Sequence, residues 1–389
     1  AVTAVARTLT VSGTLSGTGG LRVAGPGVLV LSASNTYVGA TVVGNGALRL
    51  SGTLALPGGV AATGGVANVA LSGGVIDLAA TDFLRPLGTG TSAVQFTAPG
   101  GGFAASGAAR TVNLGGAGAQ VTWGAGSFVP DGSALMLGHS LATYTVTFAN
   151  PIDLGASNRT VQVARGTGGI DAVLSGSLSG AGGLVKTGSG VLKLTGANTY
   201  AGPTAVNAGA IVIGSTAALP GWSTSGAWSA ASGAVLAVDN AVADADVATL
   251  LGTTNFAAGS ALGFDTTTAD RSYAGAITNT PQGLLGLVKY GTNTLVLSGS
   301  NSFTGPTTVV SGTLRLANAF ALGASTIDTS SGAYVFDSSV ASNAFTIGGL
   351  SGTVPLALQN NAVTPVPITL TVGGNGESTT FSVTFSGSG

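Results

Sequence analysis

The chain of 389 residues has no cysteine, a single methionine and a single histidine, His139. Without thiols it has neither disulfide staples nor thiolate metal ligands, which suits a protein that folds outside a reducing compartment without oxidative help. Charge is scarce as well: 12 basic and 13 acidic side chains make up 6% of the residues, against about 25% in an ordinary soluble domain. With only Lys186, Lys193 and Lys289 as lysines and a formal net charge of -1, no basic stripe exists to neutralise phosphates, so nucleic acid is not an expected partner. No hydrophobic run approaches the roughly 18 residues of a spanning helix, because Gly, Ser, Thr or Asn interrupts each one. The chain opens Ala1-Val2-Thr3 with no Met and no basic or apolar leader, and is read as a mature or trimmed product.

What replaces the charge is glycine, 66 residues of it, together with Ser, Thr and Asn. The glycines follow no period of three, which removes a collagen helix. The hydrophobic share of 44% removes disorder, since disordered chains lack Val, Leu, Ile and Phe.

The chain repeats itself. The stretch 12–50 reads SGTLSGTGGLRVAGPGVLVLSASNTYVGATVVGNGALRL, 175–213 reads SGSLSGAGGLVKTGSGVLKLTGANTYAGPTAVNAGAIVI, and 286–316 reads GLVKYGTNTLVLSGSNSFTGPTTVVSGTLRL. Leu21 and Asn35, Leu184 and Asn198, and Leu287 and Asn301 are each 14 residues apart. The copies agree loosely further on, at Ala55-Leu56-Pro57, Ala218-Leu219-Pro220 and Ala321-Leu322-Gly323. The closing SVTFSGSG, from Ser382, is in phase with SGTLSGTG from Ser12. Three modules follow, 1–174, 175–274 and 275–389, and the chain stops where a further copy would begin.

Apolar residues alternate inside each unit, Leu29 with Leu31, Leu192 with Leu194 and Leu295 with Leu297, and period two means half-buried strands. Asn35, Gly39, Asn45-Gly46, Asn198, Gly202, Gly209, Asn301, Gly305 and Gly312 fall between strands and are read as turn residues that accept positive φ. Leu29 to Leu48 recurs with the same spacing as Leu192 to Ile211 and Leu295 to Leu314. A coil of about 20 residues is one circuit of a three-sided β-solenoid, stable only when stacked on neighbours. The stretch Asp244–Leu251 breaks this pattern and is read as a short helix with Asp244 as cap and Val247, Leu250 and Leu251 on one face.

The motif carried by Gly20, Leu21, Leu29, Leu31, Asn35, Tyr37 and Gly39, by Gly183, Leu184, Leu192, Leu194, Asn198, Tyr200 and Gly202, and by Leu287, Leu295, Leu297, Asn301, Phe303 and Gly305 resembles the autotransporter-associated β-strand repeat, also called the passenger-associated transport repeat. The first copy departs in having Arg22-Val23 for Val-Lys, and the third in having Ser302-Phe303 for Thr-Tyr. The resemblance implies an all-β, right-handed parallel β-helix, an elongated rod from the passenger of a bacterial surface protein, without signal peptide or membrane barrel in this stretch.

Parallel β-helices also host polysaccharide-degrading enzymes, so the acidic residues bear on function. A glycosidase needs two carboxylates about 5–9.5 Å apart; here acids are scattered and Asp244 with Asp246 is the close pair, read as a helix cap and a solvated side chain. His139 lacks companions for a triad or a metal site, no calcium loop motif is present, and Gly115-Gly116-Ala117-Gly118 lacks the ending of a phosphate loop. No cofactor is expected. Trp123 reads as strand packing, whereas Trp222 and Trp228, flanked by Gly and Ser, read as an exposed loop suited to surface contact. The expected function is therefore structural: a segment of an extracellular fibre or adhesin stalk at the cell surface, partnered by adjacent copies of the repeat and open to lateral bundling or contact with extracellular glycan. The alternatives are an enzyme on the same scaffold and a carbohydrate- or ice-binding module.

Overall fold

A computed structural model describes residues 7–387. The chain divides into two units, one running to Ala205 and taking in Ala217–Pro220, the other comprising Val206–Thr216 and the chain from Gly221 onward. Both are built of parallel sheets, so the parallel β-solenoid read from the sequence is what the chain forms.

In the N-terminal unit the longest sheet stacks Thr8–Val11, Val28–Leu31, Ala47–Leu50, Val75–Leu78, Gly100–Ala105, Ala134–Leu137, Arg159–Val163 and Leu184–Thr187 in that order. Each strand is parallel to the next. Parallel neighbours oblige the chain to travel around the body between passes. Early passes return through Leu21–Val23, Thr41–Val43, Val69–Leu71 and Val94–Phe96; later ones go through Arg110–Val112, Val146–Phe148, Ala172–Leu174 and Val191–Leu194, then through Val121–Thr122, Ile152–Asp153 and Leu178–Ser179. The alternation explains the register: Leu29, Leu48, Ile76, Phe103, Leu137 and Val163 stack as one inward column, since alternate strand residues face opposite sides.

The C-terminal unit repeats the plan. Its long sheet runs Ala210–Ile213, Val235–Asp239, Ser260–Asp265, Leu285–Tyr290, Thr307–Val309, Leu322–Asp328, Ala344–Ser351 and Thr369–Val372. A second sheet stacks Arg271–Tyr273, Thr294–Leu297, Thr313–Leu316 and Ala333–Phe336.

Successive copies of the motif do not land on the same side. In the first, Leu21–Val23 lies in the short sheet and Val28–Leu31 in the long one; in the second, Leu184–Thr187 lies in the long sheet and Val191–Leu194 in the next. In the C-terminal unit, the sheet that takes Ala210–Ile213, a second-strand position of the second copy, also takes Leu285–Tyr290, a first-strand position of the third. Each module thus advances the motif by one side, because the variable body between copies is a whole number of turns plus one side.

Rings as well as aliphatic side chains fill the interior: Phe83, Phe96, Phe103, Phe128, Phe148 and Trp123 pack ring to ring through the N-terminal unit. Two expectations need correction. The helix Asp244–Leu251 forms, but Ala243 is its N-cap and no side chain caps it; Asp244 instead meets Arg271 at 2.8 Å, and Val247 and Leu250 are the buried residues while Leu251 is half-buried. Of the residues read as accepting positive φ, Gly46, Gly209 and Gly312 adopt it, whereas Asn35, Gly39 and their counterparts do not and have other roles.

Candidate functional site

The asparagine of each motif is buried and bridges three coils. Asn35 Oδ1 accepts the N–H of Leu15 at 2.8 Å, and its Nδ2 donates to the carbonyl of Ala55 at 2.7 Å, partners 20 residues before and 20 after. Asn198 does the same between Leu178 and Ala218, at 2.8 and 2.7 Å. Asn301 does so between Ile277 and Ala321, both at 2.8 Å. The acceptors Ala55, Ala218 and Ala321 are the alanines of the loosely shared Ala-Leu element, which explains why that element recurs. An amide fits because it carries an acceptor and donors on one planar head, and coil edges buried at a corner need both.

Tyr37 and Tyr200 lie inside, each with its phenol on a threonine hydroxyl four residues on, Thr41 at 2.6 Å and Thr204 at 2.5 Å. In the third copy Phe303 has no phenol, and the Thr307 hydroxyl turns to Ser325 at 2.8 Å. Burial raises the Tyr37 phenol and pushes that of Tyr200 up to about 12. Gly39 and Gly202 serve close approach: a Cβ on either would collide with the backbone of Gly20 or Gly183 on the coil before, and one on Gly20 or Gly183 with Ala40 or Pro203 on the coil after. Gly305 presses on Leu285 likewise. Leu31, Leu184, Leu192, Leu194, Leu287, Leu295 and Leu297 are buried, while Leu21 and Leu29, near the edge of the described residues, are half-buried.

Several contributors escaped the sequence reading. Lys186 and Lys289 point inward and are fully buried, donating to turn carbonyls: Lys186 to Thr187 and Gly188, Lys289 to Tyr290, Gly291 and Ser311. Burial pushes both down to about 8. Arg85, also fully buried, closes the loop beneath Gly59 by donating to the carbonyls of Pro57, Gly59 and Ala67. The sequence signal for the lysines was their fixed place in the motif; Arg85 had none.

Trp228 is not in an exposed loop. It begins the strand Trp228–Ala230, is 1% exposed, packs edge-on to Phe256 and donates its indole N–H to the Trp222 carbonyl, so only half-buried Trp222 reaches the surface. The alternation that hides Trp228 and Ala230 is interrupted by one exposed serine, too short a pattern to read in a Ser-Gly context. Asp77, His139 and Ser106 meet, but the serine donates to Asp77 at 2.9 Å rather than to the histidine, so the trio lacks the nucleophile-to-base contact of a hydrolytic triad. Among the described residues no three His, Asp or Glu side chains gather as a metal site. The outward column Arg22, Val42, Ala70, Gln95 is not a threonine ladder of the kind an ice-binding face would show.

Comparison with known proteins matches this geometry. The family model of the passenger-associated-transport-repeat matches residues 21–50, 184–213 and 287–316, each spanning one clamp asparagine. The chain is also similar to the adhesin BmaC autotransporter of Brucella suis biovar 1 (strain 1330), 31% identical over 357 residues that cover 79% of this chain and 10% of the relative. The chain therefore spans about a tenth of that curated relative's length. No solved structure matches it. Three matched copies, each pinned by the same asparagine bridge, show that this chain is built around passenger-associated-transport-repeats.

Proposed function

We propose that the chain is a stalk segment of a secreted bacterial surface adhesin, stacking coil on coil and joining in series with neighbouring segments. The observation that carries this reading is the asparagine bridge, which ties each coil to the one before and the one after at every copy. Solenoids hold together through nearest-neighbour contacts alone, so such ties set how the segment resists tension. Exposed apolar side chains also support joining: among the described residues Thr8–Val11 is paired on one side only, with Leu9 64% exposed, and Phe385 is 49% exposed. The similarity to an autotransporter adhesin supports a non-enzymatic role and a cell-surface address, and the three modules 1–174, 175–274 and 275–389 are the units we expect such a stalk to reiterate.

Single-molecule pulling between the two ends of the chain tests this. The expected record is coil-by-coil yielding at a force lowered in the Asn35→Ala, Asn198→Ala, Asn301→Ala triple variant. An unchanged force in that variant would overturn the reading.

A further inference from the structure

Each copy of the motif enters its last strand through the same bend, whose glycine is left-handed: Gly46, Gly209 and Gly312, at φ 66°, 65° and 70°. In the first copy packing demands glycine as well, since a Cβ on Gly46 would strike the carbonyls of Gly25 and Gly27 on the coil before. The residue in front of the glycine varies, being Asn45, Ala208 or Ser311. The first copy alone therefore sets an asparagine amide beside a glycine nitrogen at this bend. The third copy ties the bend down with buried Lys289, which donates to the Ser311 carbonyl at 2.9 Å. The first has Val23 in the lysine's place and lacks that tie.

Asn45 is exposed, and the N–H of Gly46 donates to the Asn45 side chain itself, to Oδ1 at 2.8 Å. That contact folds the amide head over the following peptide, so the Gly46 nitrogen stands against a group whose carbon, Cγ, lies one bond beyond Oδ1. Glycine presents this nitrogen with no side chain to hinder approach. The second Asn-Gly pair of the chain, Asn375-Gly376, is arranged differently. Its amide is held at both ends, Nδ2 donating to the Thr326 hydroxyl at 2.7 Å and Oδ1 accepting the N–H of Glu377 at 3.1 Å. The carbonyl thus faces the nitrogen after Gly376 rather than that of Gly376. Buried Asn35, Asn198 and Asn301 are likewise held at both ends by their coil bridges.

We propose that Asn45-Gly46 is a self-modification site, where the asparagine of the folded chain turns into aspartate and isoaspartate with water as co-reactant. The Gly46 nitrogen gives its proton to solvent hydroxide and bonds to Asn45 Cγ. The Cγ–Nδ2 bond breaks, and the side-chain nitrogen takes a proton from solvent and leaves as ammonia, closing a cyclic imide. Water then opens the imide: breaking the bond from the Gly46 nitrogen to Cγ yields aspartate, and breaking its bond to the Asn45 backbone carbonyl carbon yields isoaspartate, with the main chain rerouted through Cβ and Cγ. Nothing is oxidised or reduced. Either product adds one negative charge to a chain whose formal net charge is -1. Isoaspartate also lengthens the backbone just before Ala47–Leu50, a strand paired on both sides.

Peptide mapping by mass spectrometry of the full chain, incubated folded at pH 7.5, tests this. Because placement of the reacting groups sets the rate, conversion at Asn45, resolved as two products of equal mass, should run about tenfold ahead of conversion at Asn375. In urea, where both pairs lose their folded contacts, the two rates should converge. Asn45→Ser, which puts the residue of the third copy at this bend, should remove the signal and leave Asn375 as it was. Equal rates in the folded chain, Asn375 reacting first, or an intact Asn45 would overturn the proposal. A gap that persists in urea would trace the difference to neighbouring sequence instead of the folded bend, and would overturn it equally.

Discussion

Lys289 donates from inside its coil to the Ser311 carbonyl of the coil that follows, at 2.9 Å, and it shares the interior column with Val238, Phe264 and Val309. A cation there is hydrogen-bonded but desolvated. With its folded-state value near 8, as for Lys186, against about 10.4 in an unfolded chain, the unfolded state binds more protons between those limits. Stability must therefore rise with pH through that window, by at most roughly 3 kcal/mol per lysine. Tyr37, Tyr200 and Tyr334 are raised above their ordinary value by burial, so the stability they confer as neutral phenols is lost above about pH 10, where the unfolded chain ionises. Melting temperatures should climb from pH 7.5 to 9.5 and then turn down. The Lys186→Met, Lys289→Met pair should flatten the climb; a climb that persists would show that the lysines are not its source.

Removing one clamp should be costly. Asn198→Ala strips partners from the Leu178 N–H and the Ala218 carbonyl together, and leaving a buried polar group unpaired costs about 1–3 kcal/mol. A loss of about 2–4 kcal/mol in chemical denaturation is expected, and Asn198→Asp should fare no better because a carboxylate cannot donate to Ala218. A loss under about 0.5 kcal/mol, the scatter of surface changes, would mean the bridge is incidental.

Glycine contacts give a sharper contrast. Gly202→Ala drives a methyl into the Gly183 backbone, whereas Gly19→Ala meets nothing within 4 Å. Overpacking against backbone costs about 1–3 kcal/mol or more, so the first variant should melt well below the second in thermal scans. Equal melting temperatures would count against close coil approach at the motif.

A net charge of -1 gives copies of the chain little mutual repulsion. Light scattering should show side-by-side association at low salt, reduced by Ser229→Glu with Ser272→Glu, both at exposed strand positions. Monodisperse scattering from the parent chain would refute the expectation.

The solenoid was legible because each coil repeats its own pattern: Leu29 and Leu48 announce the same inward column that Ile76 and Phe103 continue. Residues acting within one copy, such as Leu192 and Leu194, were legible for the same reason. The asparagines were visible as motif members but were taken for turn residues, since nothing local reveals that their partners lie 20 residues or more away on both sides. Lys186 and Lys289 were hidden by a general rule, that lysines face water, which turn carbonyls overrode. Trp228 misled because its buried partner Phe256 is remote in sequence. The cluster at Asp77 joins residues as far apart as Arg49 and Leu141, beyond any spacing argument.

The side-by-side shift of the motif between copies has a consequence for recognition. A partner tracking one flank of the N-terminal unit would meet Val28–Leu31 of the first copy and, further along, Leu184–Thr187 of the second, two different words of the same phrase. A ligand tuned to a single corner of the motif would have to wind about the axis to find it again. Along that flank the long sheet presents the second strand of one copy and then the first strand of the next, so no uninterrupted run of one motif face lies on it.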